Sequence, residues 1–233
     1  MISNTMIKII NRLPKRFVIL ISKKVLNNYI TKYANINIVG NENLKDIDRP
    51  TIFVCNHLSN ADGLVLSRVL KDVDPTFVAG VKLSKNSLTS LGLNVVKTTS
   101  IVPNSADTEG LKNIISLVKK GESILIFPEG TRSRAKSLME AKKGIILIAR
   151  MTGAPIVPIG LYGTEKLLPI NKEGDMSAEK FEFANVNINI GKQFELIKKE
   201  KGQDRKDYTD ATTNYIMKKI AELLPESYRG VYK

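Results

Sequence analysis

The spacing of apolar residues divides the chain near residue 35. Ahead of that point Ile2, Met6, Ile9, Ile10, Leu13, Phe17, Leu20 and Ile21 recur at intervals of three and four, the period of one helix face. Pro14 interrupts the run, so the pattern predicts two helices, 2–12 and 14–33. Beyond Tyr33, short apolar runs alternate with helical stretches. The predicted strands are Ile36–Val39, Thr51–Cys55, Thr76–Ala79, Val95–Lys97 or its neighbour Ile101–Val102, Ser123–Phe127, Pro155–Ile159 and Val186–Ile190. The predicted helices are Asp62–Leu70, Ser84–Leu91, Asp107–Lys119, Lys142–Thr152 and Tyr208–Leu224. Such alternation predicts an α/β sheet with helices on both faces. The nearly unbroken apolar runs 123–127 and 156–159 read as buried strands. The polar, turn-rich stretch Leu168–Glu182 reads as a surface loop, and the mixed-charge run Lys198–Asp210 as solvated surface. The last helix is expected to dock through Tyr215, Ile216, Ile220 and Leu223.

Composition narrows the chemistry. The 233 residues are 42 % hydrophobic and 25 % charged, the balance of a globular chain with a core. There is one cysteine, Cys55, and one histidine, His57. A disulfide within the chain is thereby excluded, as are zinc sites built from Cys and His clusters. No metal site is expected, and any histidine chemistry must run through His57.

Charge adds a partner. The net charge is +13, and residues 1–35 hold seven basic residues and no acid. Three readings follow: a monotopic membrane anchor meeting anionic lipid, a helix pair packed on the domain with a solvated basic face, or a nucleic-acid arm. Few aromatics interleave the basic residues and no nucleic-acid motif follows, so nucleic acid is not expected as a partner. The longest unbroken apolar run, Phe17–Ile21, is far short of the ~20 residues that span a bilayer, and signal-peptide features are missing. The expected organisation is an amphipathic basic segment at 1–35 and an α/β domain at 36–233.

Two strand ends carry the candidate chemistry. The strand Thr51–Cys55 runs into Asn56-His57-Leu58-Ser59-Asn60-Ala61-Asp62. Ends of parallel strands are where α/β proteins place their sites. With a turn at Ser59-Asn60, the Asp62 carboxylate can reach one imidazole nitrogen and leave the other free to take a proton. The plainer reading is a histidine in a turn followed by a helix-capping aspartate. The second strand, Ser123–Phe127, runs into Pro128-Glu129-Gly130-Thr131-Arg132-Ser133-Arg134. Gly130 permits a tight turn, the arginines offer forks suited to phosphate, and Glu129 can pair with one of them or accept from a substrate hydroxyl. The plainer reading here is a surface turn with solvated arginines. Ser59 lies beside His57, but no Gly-x-Ser-x-Gly elbow, Walker A loop or Gly-x-Gly-x-x-Gly occurs.

Taken together these segments resemble the glycerolipid acyltransferases of the HxxxxD group. Asn-His-x-Ser-x-x-Asp at 56–62 is similar to their first motif, Phe-Pro-Glu-Gly-Thr-Arg-Ser at 127–133 to their third, and Ile-Val-Pro-Ile at 156–159 to their fourth. The resemblance covers roughly residues 36–190 and is strongest to the bacterial 1-acylglycerol-3-phosphate acyltransferases. It implies a mixed central sheet flanked by helices, preceded by a membrane-associated helical segment. It implies transfer of an acyl chain from acyl-CoA or acyl-carrier protein to lysophosphatidate, without a cofactor, on the cytoplasmic face of the cell membrane. His57 takes the general-base role and Asp62 the orienting role. Glu129, Gly130, Thr131 and Arg132 take the acceptor-binding role, with Arg132 on the phosphate. The family's second motif often carries an arginine, but Leu93–Ser105 has none; Lys97, or Lys82 upstream, is the expected substitute cation. Two alternatives remain: the same chemistry on glycerol 3-phosphate or a lysophospholipid, and a non-catalytic membrane-binding module.

Overall fold

A computed structural model describes residues 12–80, 92, 95–102, 107–171, 173 and 179–233. The predicted helices 2–12 and Ser84–Leu91 fall wholly or largely outside these residues. So do Lys82 and Ser105.

Seven strands form one sheet in the order β1-β7-β6-β2-β5-β3-β4. They are β1 Ala34–Val39, β2 Ile52–Cys55, β3 Thr76–Gly80, β4 Thr98–Ile101, β5 Ile124–Ile126, β6 Ile156–Tyr162 and β7 Ala184–Ile190. Strands β6, β2, β5, β3 and β4 run parallel. β7 pairs antiparallel with β6, and β1 parallel with β7. The sheet is therefore mixed, as expected. The strand expected at 95–97 or 101–102 forms at Thr98–Ile101, overlapping the second of these.

Alternation along each strand sorts the core into two layers. Phe53, Cys55, Leu125, Val157 and Ile159 face one side, where helices α1 (Lys15–Tyr33) and α2 (Asp62–Val69) pack. Ile52, Val54, Ile124 and Ile156 face the other, under α3 (Thr108–Lys119), α4 (Gly144–Thr152) and α5 (Arg205–Ala221). β2, central and flanked on both faces, is buried at all four positions, which is why its sequence shows no polar alternation.

Three expectations change. Val18, Leu26 and Ile30 of α1 belong to the domain's own core. The stripe 18-22-26-30 packs inward, while Leu13, Phe17 and Leu20 of the predicted apolar face remain exposed. The Leu168–Glu182 stretch is not simply surface, because Leu168 and Glu179 are buried. Helix α5 docks through Tyr208, Ile216, Met217 and Ile220, with Tyr215 and Leu223 only half-buried. Among the described residues no helix is long and apolar enough to cross a membrane.

Candidate active site

The loop after β2 builds the first half of the site. Asp62 opens α2 and is fully buried. Its carboxylate reaches back over the turn instead of forward into the helix. One oxygen, Oδ2, lies 2.7 Å from His57 Nδ1 and accepts the backbone N–H groups of Leu58 at 2.7 Å and Ser59 at 2.9 Å. A carboxylate can only accept, so Nδ1 carries the proton and Nε2 presents its lone pair. The imidazole is one-fifth exposed and stacks on Phe127 with ring centroids 4.1 Å apart. Ser59 is no nucleophile: its buried hydroxyl donates to the Leu168 carbonyl and accepts from Ala61. Cys55 points into the core, where burial raises its thiol pKa well above the ordinary value.

The loop after β5 grips the backbone of His57 from both sides. Glu129 Oε1 accepts the His57 N–H at 2.8 Å, and the Ser133 N–H donates to the His57 carbonyl at 2.8 Å. Glu129 Oε2 accepts the Met139 N–H at 2.9 Å, and the residue is only 2 % exposed. Glu129 thus acts as a clamp on the histidine's main chain, and its burial keeps it away from an acceptor hydroxyl. Gly130 turns the loop at φ 71°, and a Cβ there would lie 3.2 Å from Lys142 Cγ. Its own N–H is bonded to the Phe127 carbonyl. Thr131 is exposed at the turn.

Arg132 is not a free cation. Its Nη1 donates to Glu179 Oε1 at 2.9 Å, and its side chain is 18 % exposed. Glu179 Oε2 accepts from Asn60 Nδ2 at 2.7 Å. Lys97 pairs with Glu122 at 2.8 Å. That pair sits at the N-terminal edge of β3 and β5, opposite the His57 edge, so Lys97 cannot be the substitute cation.

Burial pushes the Glu129 carboxyl from its ordinary 4.5 up to about 7, against the pull of the His57 and Met139 N–H groups; the Asp62 charge pushes the same way as burial. The native state therefore holds a proton there that the unfolded chain has released between about pH 4.5 and pH 7. Stability falls as pH rises through that window, by about 3 kcal/mol in all from this group. The melting temperature is expected to drop by about 5–10 °C between about pH 5 and pH 8 from this source. In Glu129→Gln that component should vanish, measured by circular dichroism. An identical pH slope in the two proteins would show that Glu129 does not titrate there.

Sequence reasoning brought His57, Asp62, Glu129 and Arg132 to one edge of the sheet, and the structure places them there. It missed Ser133 as a backbone clamp, Asn56, whose amide bonds both main-chain groups of Leu161, and Glu179. The first two lie inside the quoted motifs. Glu179 lies 47 residues from Arg132 in a polar stretch, with no local signal.

A family model described as Acyltransferase matches residues 35–162. The chain is 36 % identical over 166 residues to the chloroplastic 1-acyl-sn-glycerol-3-phosphate acyltransferase LPAT1 of Arabidopsis thaliana, covering 70 % of this chain and 44 % of that protein. It is 26 % identical over 143 residues to the 1-acyl-sn-glycerol-3-phosphate acyltransferase of Bacillus subtilis, covering 61 % of this chain and 70 % of that one. The chain spans about half the length of its plant relatives, 44 % and 48 % for the Arabidopsis and Brassica napus proteins. In fold it is similar to the crystal structure of the 1-acyl-sn-glycerophosphate acyltransferase PlsC from Thermotoga maritima. The TM-score is 0.60 at 24 % identity, covering 87 % of this chain and 79 % of that one.

Proposed function

The chain belongs to the acyltransferase family, and from that membership we propose that it moves a fatty acyl chain from an acyl thioester to the free hydroxyl of 1-acylglycerol 3-phosphate, forming phosphatidic acid. The observation that carries this reading is the histidine whose Nδ1 is held on a buried carboxylate, with Nε2 left open on the edge that also carries Arg132. Nε2 takes the acceptor hydroxyl's proton as its oxygen attacks the thioester carbonyl. Asp62 stabilises the imidazolium. The tetrahedral intermediate collapses with loss of the C–S bond, and the imidazolium returns the proton to the leaving thiolate. The acceptor is itself the nucleophile, so the step requires neither a covalent acyl-enzyme nor a cofactor. The N–H groups of Thr131 and Arg132 have no partner among the described residues and are the candidate oxyanion donors, each typically worth about 3 kcal/mol. The donor is acyl-CoA or acyl-carrier protein.

Thiol release tests the reading. Purified protein is given either donor with 1-acylglycerol 3-phosphate, glycerol 3-phosphate, a lysophospholipid or a neutral monoacylglycerol. The first acceptor is expected to be turned over fastest. Faster turnover of another phosphate-bearing acceptor would move the assignment to that alternative, which the partial neutralisation of Arg132 by Glu179 favours as the second reading. No thiol release with any pair would leave a membrane-binding module. Arg132→Lys is the informative variant, because Arg132→Ala would strand the buried Glu179 charge. Lysine keeps that charge paired and loses the fork. KM for the phosphate-bearing acceptor should rise about tenfold relative to the neutral one; equal changes would sink the phosphate assignment.

The lead segment fits an anionic membrane surface. Helix α1 carries Lys15, Arg16, Lys23, Lys24 and Lys32 and no acid, while Phe17 and Leu20 are 43 % and 63 % exposed. Phe183, packed on Tyr33 of α1, is 75 % exposed. Removing residues 1–33 would take Val18, Leu26 and Ile30 out of the core, so point variants are the cleaner test. Phe17→Ser with Leu20→Ser should weaken binding to anionic vesicles by about tenfold or more. The melting temperature should hold, since neither side chain is in the core. Unchanged vesicle binding would place the contact elsewhere.

A further inference from the structure

Glu179 joins the two loops of the site through one buried carboxylate. Its side chain is 1 % exposed. One oxygen accepts from Arg132 in the loop after β5, and the other from Asn60 in the turn between His57 and Asp62. A carboxylate this deeply buried is tolerated only when paired, and here both oxygens are used. Arg132 gives Glu179 a single Nη1 bond. Its Nε and Nη2 donors have no partner among the described residues, and the guanidinium keeps some exposure. The fork is thus held at one end and offered at the other. A long arginine side chain would otherwise lose rotamer freedom when it met an anion.

Resting on the acyl-transfer reading above, we infer that Glu179 is a positioning residue that fixes the Arg132 fork relative to His57. It thereby sets which hydroxyl, counted from the acceptor's phosphate, is presented to the base. In a glycerol phosphate the 2-hydroxyl sits on the carbon next to the phosphate-bearing one, and the 1-hydroxyl one carbon further away. A fixed span between anion site and base distinguishes them. A loose arginine does not.

The test uses two non-migrating ether acceptors, 1-O-alkylglycerol 3-phosphate and 2-O-alkylglycerol 3-phosphate, with wild type and Glu179→Gln. Wild type should prefer the free 2-hydroxyl. In the variant the ratio of kcat/KM values for the two isomers should fall by about tenfold or more toward unity. Asn60→Ala, which cuts the other tether, should move the ratio the same way. Melting temperature is followed in parallel. A variant that loses stability but keeps the wild-type ratio makes Glu179 a structural strap and overturns the proposal. A readout independent of turnover separates this from failure of the acyl-transfer reading. The chain's single imidazole gives one set of proton NMR signals, which can be followed during titration with inorganic phosphate. Phosphate should bind Glu179→Gln about tenfold more weakly than wild type, even if no acceptor is turned over. Equal or tighter binding would mean that Glu179 opposes the anion, and would overturn the proposal.

Discussion

Turnover of the His57→Ala protein is expected to fall by about 10²- to 10⁴-fold, the usual worth of a general base. The fold should survive. The imidazole is partly exposed, and its stack on Phe127 contributes about 0.5–1.5 kcal/mol beyond area burial. Its backbone bonds to Glu129 and Ser133 do not involve the side chain. Because no second imidazole exists in the chain, none can substitute for it. His57→Gln keeps a hydrogen-bonding group near Asp62 but has no basic nitrogen, so it should be as slow as alanine. Turnover within tenfold of wild type in a folded His57→Ala protein would remove His57 from the base role.

Much of this geometry was legible in the sequence because it is local. His57 and Asp62 are five residues apart, and a turn at Ser59-Asn60 suffices to bring them together. The apolar run before Glu129 marks a buried strand, so the loop that follows must emerge at a sheet edge. Placing both loops at one edge required only that β2 and β5 be parallel, as their near-continuous apolar character implied. Side-chain commitments were not legible. Glu129 looked like a ligand because a loop glutamate is ordinarily solvated. Only the fold shows that it is buried between two backbone N–H groups. Arg132 looked free because its partner comes from a stretch whose polar composition reads as surface. Lys97 looked available because sequence distance does not report which end of a parallel strand a residue occupies. The helix at 15–33 was placed by its period, but its inward face was not. Val18, Ser22, Leu26 and Ile30 lie four residues apart and include a serine, whereas Leu13, Phe17 and Leu20 of the more continuous apolar set face out.

The clamps explain why two loops from different strands act as one site. His57 is held at its imidazole by Asp62, at its N–H by Glu129 and at its carbonyl by Ser133. Three independent bonds leave the ring little freedom, so the open nitrogen is aimed before any acceptor arrives. Pre-organisation of this sort lowers the reorganisation required in the transition state.

Asp62 carries the second large effect, and its two substitutions should separate catalysis from folding. Its Oδ2 serves three donors at once: the imidazole and two backbone N–H groups, those of Leu58 and Ser59. Asp62→Asn keeps an oxygen that can accept both backbone groups. It removes the charge that stabilises the imidazolium. Turnover should fall by about 10³- to 10⁴-fold while the melting temperature drops by only a few degrees. Asp62→Ala should be equally inactive and much less stable. Leu58 and Ser59 are almost wholly buried, and each N–H left without an acceptor costs about 1–3 kcal/mol. At about 2–4 °C per kcal/mol for a chain of this size, the alanine protein should melt about 5–15 °C below the asparagine one. If the two variants melt together, the backbone bonds to Asp62 contribute nothing to the turn. If Asp62→Asn retains turnover within tenfold of wild type, the carboxylate holds the loop but does not tune the base.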